Sequence, residues 1–232
     1  MFAFSLLNYS AFAPSLYKKD DWNRWIDYKK QTGDNIADAP PVDFMPPMLR
    51  RRLSQNIKIA VYAAYNASAG YKDLRTVFAS RYGEWQQTFK HLLNYYNENS
   101  VSPAGFSLSV HNAAAGLFSL ITGNKSPYTS ISATDYTFSA GLLETFMQLE
   151  TNNTVLYVYS DESAPDFYKD RIKSFLPCSV ALLLSKYQPG ELKSFSCSYR
   201  DNNVEDDPFA FIRFILEDQK SFQCKKFDIN LL

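Results

Sequence analysis

Two residues in the middle of the chain have the types and spacing of a nucleophile and its base. Ser109 precedes His111 by two positions, which on a strand places both side chains on one face. Such a pair also needs an orienting acid and an oxyanion hole, and the sequence has no Gly-x-Ser-x-Gly turn to supply them. The other interpretation, which we favour, is that His111 lies at a junction between a strand and a helix and bonds nearby backbone.

A second candidate for chemistry is Asp135 in the stretch "ATDYTF", residues 133–138, directly before a predicted amphipathic helix. An aspartate at the start of a helix accepts N–H bonds and complements the helix dipole. We therefore predict that Asp135 is the N-terminal cap of this helix. A role as general acid or base is the alternative.

The acidic stretch "SDESAPD", residues 160–166, follows the most continuous apolar run of the chain. Ligands of α/β proteins bind at the carboxyl ends of strands, but a metal site usually needs histidine or several converging carboxylates. We interpret the acids as a solvated turn. His91 is interpreted as a surface or packing residue, and the sequence contains neither of the glycine-rich phosphate loops. No metal, nucleotide or other cofactor is predicted.

The elements that must position these residues alternate between strands and helices. Such alternation predicts an α/β fold with a mixed, mostly parallel sheet and helices on both of its faces. The predicted strands are 2–8, 75–80, 106–110, 128–133, 154–162, 178–187, 194–199 and 221–229, and the predicted helices are 47–69, 83–99, 112–123, 138–150 and 208–219.

Length and composition limit the function classes. A chain of 232 residues suits a single domain, 1–232, and equal numbers of acidic and basic residues exclude a global attraction to nucleic acid or an anionic membrane. Three cysteines without a Cys-x-x-Cys pair favour a reducing compartment. No apolar run approaches the roughly 18 residues of a membrane span, so a cytoplasmic protein is expected. An aromatic fraction of 16% indicates apolar surface that a partner could cover.

Several short pieces together resemble a known family. They are "PPMLRRRLS" at 46–54, "FASRYGEW" at 78–85, "SP" at 102–103, "FSLSVHNAAAGLFSL" at 106–120, "SP" at 126–127 and "AGLLE" at 140–144. As a set they resemble the N-terminal half of the β-ketoacyl synthases, and more closely the short chain-length-factor-like branch of aryl polyene and related polyketide-type biosynthesis. The resemblance spans most of residues 1–170.

The resemblance implies a thiolase-like fold, that is, half of a ketosynthase. In complete ketosynthases the condensing cysteine begins the helix after the strand that corresponds to 128–133. Counted from Pro127, that position falls at Asp135, within two residues, and residues 134–137 contain no cysteine. The two catalytic histidines of the C-terminal half have no counterpart either. We therefore expect no condensing activity from this chain alone.

The function implied by the resemblance is that of a non-catalytic, chain-length-factor-like subunit. It would form a heterodimer with a full-length β-ketoacyl synthase, shape the acyl tunnel in polyketide or fatty-acid-type elongation, and meet an acyl carrier protein transiently. The alternative is a small stand-alone acyl-processing enzyme that uses Ser109 with His111, or Asp135.

The resemblance also implies an interface in which the strand 128–133 pairs edge to edge with the partner. Small residues at 113–116 would let another backbone approach, while Phe106 and Phe118 would act as bulky stops in an apolar channel. The alternative is that these residues only pack the core of the chain itself. The interface and tunnel candidates are Gly105, Phe106, His111, Asn112, Ala115, Gly116, Phe118, Ser130, Ile131 and Ser132.

The run "LRRRLS" contains the three consecutive arginines Arg50, Arg51 and Arg52 near the start of a predicted helix. Consecutive residues point in different directions on a helix, so we expect one arginine to pair with an acid and the others to be solvated. A weaker alternative is that they dock the acidic carrier protein.

Overall fold

The computed structural model of the chain describes residues 2–14, 16, 20–22, 39–168, 170–172, 176–190 and 192–232. Eight strands form one sheet in the order β3-β2-β4-β5-β1-β6-β8-β7. The strands are β1 Phe2–Phe12, β2 Arg75–Ala79, β3 Tyr128–Ile131, β4 Thr154–Asp161, β5 Cys178–Lys186, β6 Ser194–Tyr199, β7 Ser221–Gln223 and β8 Phe227–Leu231.

The helices lie on the two faces of this sheet, as predicted. They are α1 Pro47–Arg50, α2 Gln55–Ser68, α3 Trp85–Glu98, α4 Pro103–Phe106, α5 Ala113–Thr122, α6 Thr137–Thr151 and α7 Pro208–Leu216, with short 3-10 turns at Thr134–Tyr136 and Asp166–Tyr168.

The prediction of a mixed sheet is confirmed, but the prediction of a mostly parallel one is wrong. Among the described strands only β2 pairs in parallel, with β3 on one side and β4 on the other. The pairings β4–β5, β5–β1, β1–β6, β6–β8 and β8–β7 are antiparallel. The continuous apolar run of β4 had suggested a parallel environment, yet a central strand covered by helices on both faces is just as apolar beside an antiparallel neighbour.

The side chains of β4 show how the sheet separates two cores. Leu156 and Val158 belong to the core beneath α2 and α5, whereas Val155 and Tyr157 belong to the core beneath α6 and α7. All four are buried. Since successive residues of a strand point to opposite faces, one uninterrupted apolar run fills both cores.

Strand β1 contains one extra residue, Leu7. Its register with β5 passes from Leu6 directly to Asn8. Before this bulge the even-numbered residues, such as Phe4, face the α6 core, and after it the odd-numbered residues, such as Ala11, do so. The bulge therefore reverses which side chains of β1 enter which core.

Two local predictions fail for local reasons. Residues 106–110 form the end of α4 and a turn, not a strand, because Ser102 caps a helix whose first residue is Pro103. The single helix predicted from Pro47 is two helices, because Ser54 accepts a hydrogen bond from the N–H of Ile57 and starts α2 anew. Both serines offered the backbone an alternative partner that periodicity does not reveal.

Gly141 lets α6 pack closely against the sheet. A Cβ at this position would lie 2.5 Å from Cε2 of Tyr157 and 2.9 Å from Cβ of Ala79. The same addition at Gly116 in α5 would meet nothing closer than the hydroxyl of Tyr128 at 3.7 Å. A side chain at Gly141 must therefore push α6 off β4 and β2.

We predict that Gly141→Ala lowers the free energy of unfolding by about 1–3 kcal/mol, because overpacking outweighs the better helix propensity of alanine. Gly116→Ala is the matched control and should be neutral or slightly stabilising. Chemical denaturation of both variants measures the difference. Equal stability of the two would contradict the packing described for Gly141.

Candidate functional site

The turn between β3 and α6 is the region where the resemblance places a lost nucleophile. Thr134 adopts φ = +52° there, in the left-handed region that β-branched residues avoid. The hydroxyl of Thr137 accepts a hydrogen bond from the N–H of Ala133 at 2.9 Å and donates one to the carbonyl of Thr134 at 2.8 Å. This hydroxyl holds the sharp turn from strand to helix in place.

No thiol lies at this turn. The three cysteines are buried and unpaired elsewhere in the sheet region. Burial raises the pKa of Cys178 and Cys197 well above the ordinary thiol value, and that of Cys224 to about 12. Because the thiolate is the nucleophilic form, none of the three is suited to attack an acyl group.

Asp135 does not cap α6, so that prediction is wrong. Its carboxylate is exposed and forms an ion pair with Arg81. The cap comes instead from Asp206, whose Oδ2 accepts a hydrogen bond of 2.7 Å from the N–H of Ser139 in the first turn of α6. Its Oδ1 accepts a second one, of 2.9 Å, from the N–H of Lys225.

The position of Asp206 has a chemical consequence. Unpaired N–H groups at the start of a buried helix can stabilise a thiolate or an acyl oxygen. Here the N–H of Ser139, a residue that is fully buried, already has a carboxylate as its acceptor. That donor cannot at the same time hold the oxygen of a reacting group.

The acids of 160–166 are mostly not a solvated turn, which corrects the prediction. Asp161 is 2% exposed and accepts hydrogen bonds from the Ser80 hydroxyl at 2.8 Å, from the N–H groups of Arg81 and Tyr82, and from the Tyr159 hydroxyl at 2.7 Å. It fixes the loop after β2. Of the three acids only Asp166 is exposed.

Glu162 is also buried and bridges two helices. Its Oε1 accepts a hydrogen bond from the N–H of Gln86, near the start of α3, and its Oε2 accepts one from the N–H of Asn56, near the start of α2. Glu84 lies beside it and is equally buried. Burial raises the pKa of Glu84 to about 7. The pKa of Glu162 is raised to about 8, mainly by burial and secondly by the negative charge of Glu84.

Ser109 and His111 are not joined as a nucleophile and base. The Ser109 hydroxyl donates to the carbonyl of Phe106 at 2.9 Å. Nε2 of His111 lies 2.8 Å from the carbonyl oxygen of Ser80, so this nitrogen carries the proton and donates it. The prediction that His111 bonds backbone is confirmed, but the predicted strand before it is wrong: His111 lies in the turn between α4 and α5.

The predicted interface residues fall into three groups. Ala115 and Phe118 lie in the core beneath α2 and α5, where Phe118 packs against Phe78. The prediction that these two side chains contact a partner is wrong, because they are buried in the core of the chain itself. Phe106, His111, Asn112 and Ser132 are exposed, and Gly105, Gly116, Ser130 and Ile131 are partly buried.

The three arginines near α1 divide as expected. Arg50 forms an ion pair with Asp43, and Arg51 and Arg52 are exposed. Only the last two present their charge fully to solvent.

The β-ketoacyl synthase N-terminal domain, as a family model, matches residues 22–227. The chain belongs to this family. The match extends beyond residue 170, where the resemblance seen in the sequence had ended, so β5, β6, α7 and β7 are part of the family domain.

Solved structures confirm the thiolase-like ketosynthase fold. The chain is similar to one chain of the complex of the ketosynthase ApeO with its chain length factor ApeC from Xenorhabdus doucetiae, with 23% identity, a TM-score of 0.85 and coverage of 99% of this chain and 100% of that one. The ishigamide ketosynthase/chain length factor gives 14% identity and a TM-score of 0.68 over 86% of this chain and 68% of that one. A third similar structure is the AntDE:AntF complex, a type II polyketide synthase carrier protein with its ketosynthase, at 13% identity and a TM-score of 0.68, over 87% of this chain and 70% of that one.

No curated protein matches the chain. Among the residues that the structure describes, no helix has both the length and the apolar composition needed to span a bilayer.

We predict that Asp206→Ala lowers the free energy of unfolding by about 2 kcal/mol, because it removes a charged acceptor from two backbone N–H groups. Asp135→Ala should cost less than about 0.5 kcal/mol, because it removes only an exposed ion pair. Urea titration of both variants tests the assignment. A larger loss for the Asp135 variant would restore Asp135 as the cap.

Proposed function

We propose that this chain is a non-catalytic, chain-length-factor-like subunit that assembles with a full-length β-ketoacyl synthase. The observation that carries the proposal is the turn from β3 to α6, where residues 134–137 contain no cysteine and the Asp206 carboxylate accepts the N–H of Ser139 at the helix start. The similarity to a complete chain of the ApeO and ApeC complex supports the same assignment.

The proposed interface is the open edge of β3, which stands at one end of the sheet. The N–H groups of Thr76 and Ser80 on β2 donate to the carbonyls of Pro127 and Ile131. In a parallel ladder these bonds alternate along the strand, so the N–H and C=O of Ser130 point away from β2. The buried Ser130 hydroxyl also has no hydrogen-bond partner within the described chain. Ser130 is therefore available to pair with a strand of another chain.

Apolar side chains surround this edge. Tyr128 on β3 is 40% exposed, and Leu120 and Met147, on the two helices that contact β3, are 73% and 44% exposed. Exposed apolar residues grouped around an open strand edge are typical of a surface that a partner covers. We propose that the partner ketosynthase covers them.

Phe106 is the residue that we propose to line the acyl tunnel. It follows the small residue Gly105 at the end of α4, and its side chain is 59% exposed. An exposed phenylalanine can present an apolar end wall to a chain that grows in the partner. Arg51 and Arg52 are proposed as weak contacts for an acidic acyl carrier protein, and their effect should fall as salt is added.

The proposal is tested by co-expression with a full-length β-ketoacyl synthase. We expect a stable complex that condenses malonyl units, while this chain alone condenses none. Condensation by the isolated chain would refute the assignment.

Ser130→Pro removes the outward N–H of β3 and should abolish co-purification with the ketosynthase, while the chain itself stays folded. Thr129→Pro is the contrasting variant: its N–H points to β2, so it should destabilise the isolated chain. Affinity pull-down and circular dichroism separate the two effects. Full retention of the complex with Ser130→Pro would exclude β3 as the interface.

Phe106→Ala in the assembled complex should shift the products toward longer chains, because it removes bulk from the tunnel wall. Phe118→Ala, in contrast, should cost about 3–5 kcal/mol of stability as a core truncation. Mass spectrometry of the products and thermal melting give the two readouts. An unchanged product distribution for Phe106→Ala would remove this residue from the tunnel.

A further inference from the structure

Two polar atoms buried at the start of α2 and α3 have no hydrogen-bond partner. They are Oε2 of Glu84 and Oδ1 of Asn56. The other halves of the same groups are bonded: Nδ2 of Asn56 donates to Oε1 of Glu84 at 3.0 Å and to the carbonyl of Gly83 at 3.2 Å. Both side chains are only 2% exposed, so two unsatisfied acceptors would be costly here.

The neighbouring Glu162 has the opposite surroundings. Each of its oxygens accepts a backbone N–H, from Gln86 at 3.2 Å and from Asn56 at 3.3 Å. These donors belong to the first turns of two helices, where the helix dipoles favour a negative charge. A proton on Glu162 would place a donor against donors. Its surroundings therefore favour the ionised form.

The two carboxyl groups cannot both be charged without cost. In the described part of the chain, no lysine or arginine forms an ion pair with either of them. Burial disfavours charge on both groups, and the charge of Glu84 raises the pKa of Glu162 further. The pair is expected to hold one proton near neutral pH. Glu162 has the higher pKa, about 8 against about 7, but part of that rise comes from a charged Glu84 and disappears when Glu84 is protonated. The positions of the donors therefore decide which residue carries the proton.

We propose that Glu84 carries this proton on Oε2 and donates it to Oδ1 of Asn56, while Glu162 stays ionised. The carboxylic acid and the amide then form two hydrogen bonds in a ring, Oε2–H to Oδ1 and Nδ2–H to Oε1. One proton satisfies both of the unpaired atoms. The inference does not depend on the proposed assembly with a ketosynthase.

Three of the other groups around the pair are already engaged elsewhere. Asp161 is saturated by the loop after β2, and the Arg81 guanidinium pairs with Asp135. His111 packs against Gly83 and uses Nε2 for the Ser80 carbonyl. The remaining neighbours are Tyr82, which lies under Arg81, and Ser54, whose hydroxyl accepts the N–H of Ile57 and donates to the Glu84 carboxyl group, where it stabilises the charged form. The Ser54 hydrogen bond leaves Oδ1 of Asn56 without a donor, and a proton on Glu84 supplies one.

The pair forms a proton-dependent anchor for α3. No residue of α3 is buried, and its last two turns expose Leu92, Leu93, Tyr95 and Tyr96. The helix is attached through its first two turns to the segment after β4. Glu162 accepts the N–H of Gln86, the indole N–H of Trp85 donates to the carbonyl of Ser163, and Phe89 stacks on Phe167. When Glu84 loses its proton, two carboxylates face each other beside this attachment, and we expect it to loosen.

The pH dependence follows from the direction of the shift. The pKa of Glu84 rises from 4.5 to about 7 on folding, so the folded chain binds more protons than the unfolded chain between these values. The stabilisation is complete at pH values below the unfolded pKa and is lost as the pH rises through the folded pKa.

The experiment compares Glu84→Gln with Glu162→Gln in the full chain, at about pH 5 and about pH 8. Glutamine at position 84 reproduces the neutral acid, with an NH₂ in place of the OH. We expect this variant to melt no lower than the parent at about pH 8 and to lose much of the pH dependence. Glutamine at position 162 has only one acceptor oxygen for two N–H donors, so this variant should melt roughly 5 °C lower at both pH values.

A second readout does not depend on stability. The infrared carbonyl band of a protonated, buried carboxylic acid should be present near neutral pH in the parent and in Glu162→Gln, and absent in Glu84→Gln. Hydrogen exchange should show faster opening of the first turn of α3 at the higher pH in the parent only. Two results would overturn the assignment. One is an infrared acid band that persists in Glu84→Gln. The other is the reverse order of stability, in which Glu162→Gln melts like the parent and Glu84→Gln melts lower.

Discussion

Helices that begin inside this protein need acceptors for their first N–H groups, and for α2, α3 and α6 carboxylates from distant segments provide or complete them. Glu162 serves α2 and α3 together, and Asp206 serves α6. Each of these acids lies far along the chain from the helix that it caps. Glu162 thereby ties the segment after β4 to the starts of α2 and α3, and Asp206 ties the segment before α7 to the start of α6 and to Lys225.

At the turn from β3 to α6 the acceptor is the carboxylate of Asp206. A helix start that stabilises negative charge is useful for catalysis only while its donors are free. In this chain Asp206 takes up that capacity, and the helix start becomes a structural joint between α6 and the β7–β8 hairpin, through the bond to Lys225. Thr134 still carries the backbone strain of the turn.

Features that depend on local periodicity could be predicted from the sequence. The apolar run of β4 and the amphipathic pattern of α3 appear where they were expected, as does the short strand β3. The direction of β5 relative to β4 could not be predicted, because apolar content does not encode strand direction.

The candidate site was less predictable than the fold. Asp161 and Glu162 were predicted to be solvated, but they are buried, because their hydrogen-bond partners lie about 80 to 106 positions away in the sequence. Asp206 had no local signal at all, because its partner Ser139 is 67 positions distant. Conversely, Asp135 has the residue type and the position expected of a helix cap, but its carboxylate forms an ion pair with Arg81.

The extra residue in β1 has a consequence for comparing this chain with its relatives. In a relative that lacks a residue at the position of Leu7, every second residue along the whole strand faces the same core. In this chain the set of residues that faces the α6 core changes from even-numbered to odd-numbered after Leu6. An alignment without a gap at that point would match core positions on one side of it with positions of the opposite face. A single gap at Leu7 keeps both halves of the strand in phase, so conservation in β1 can only be interpreted after that gap has been placed.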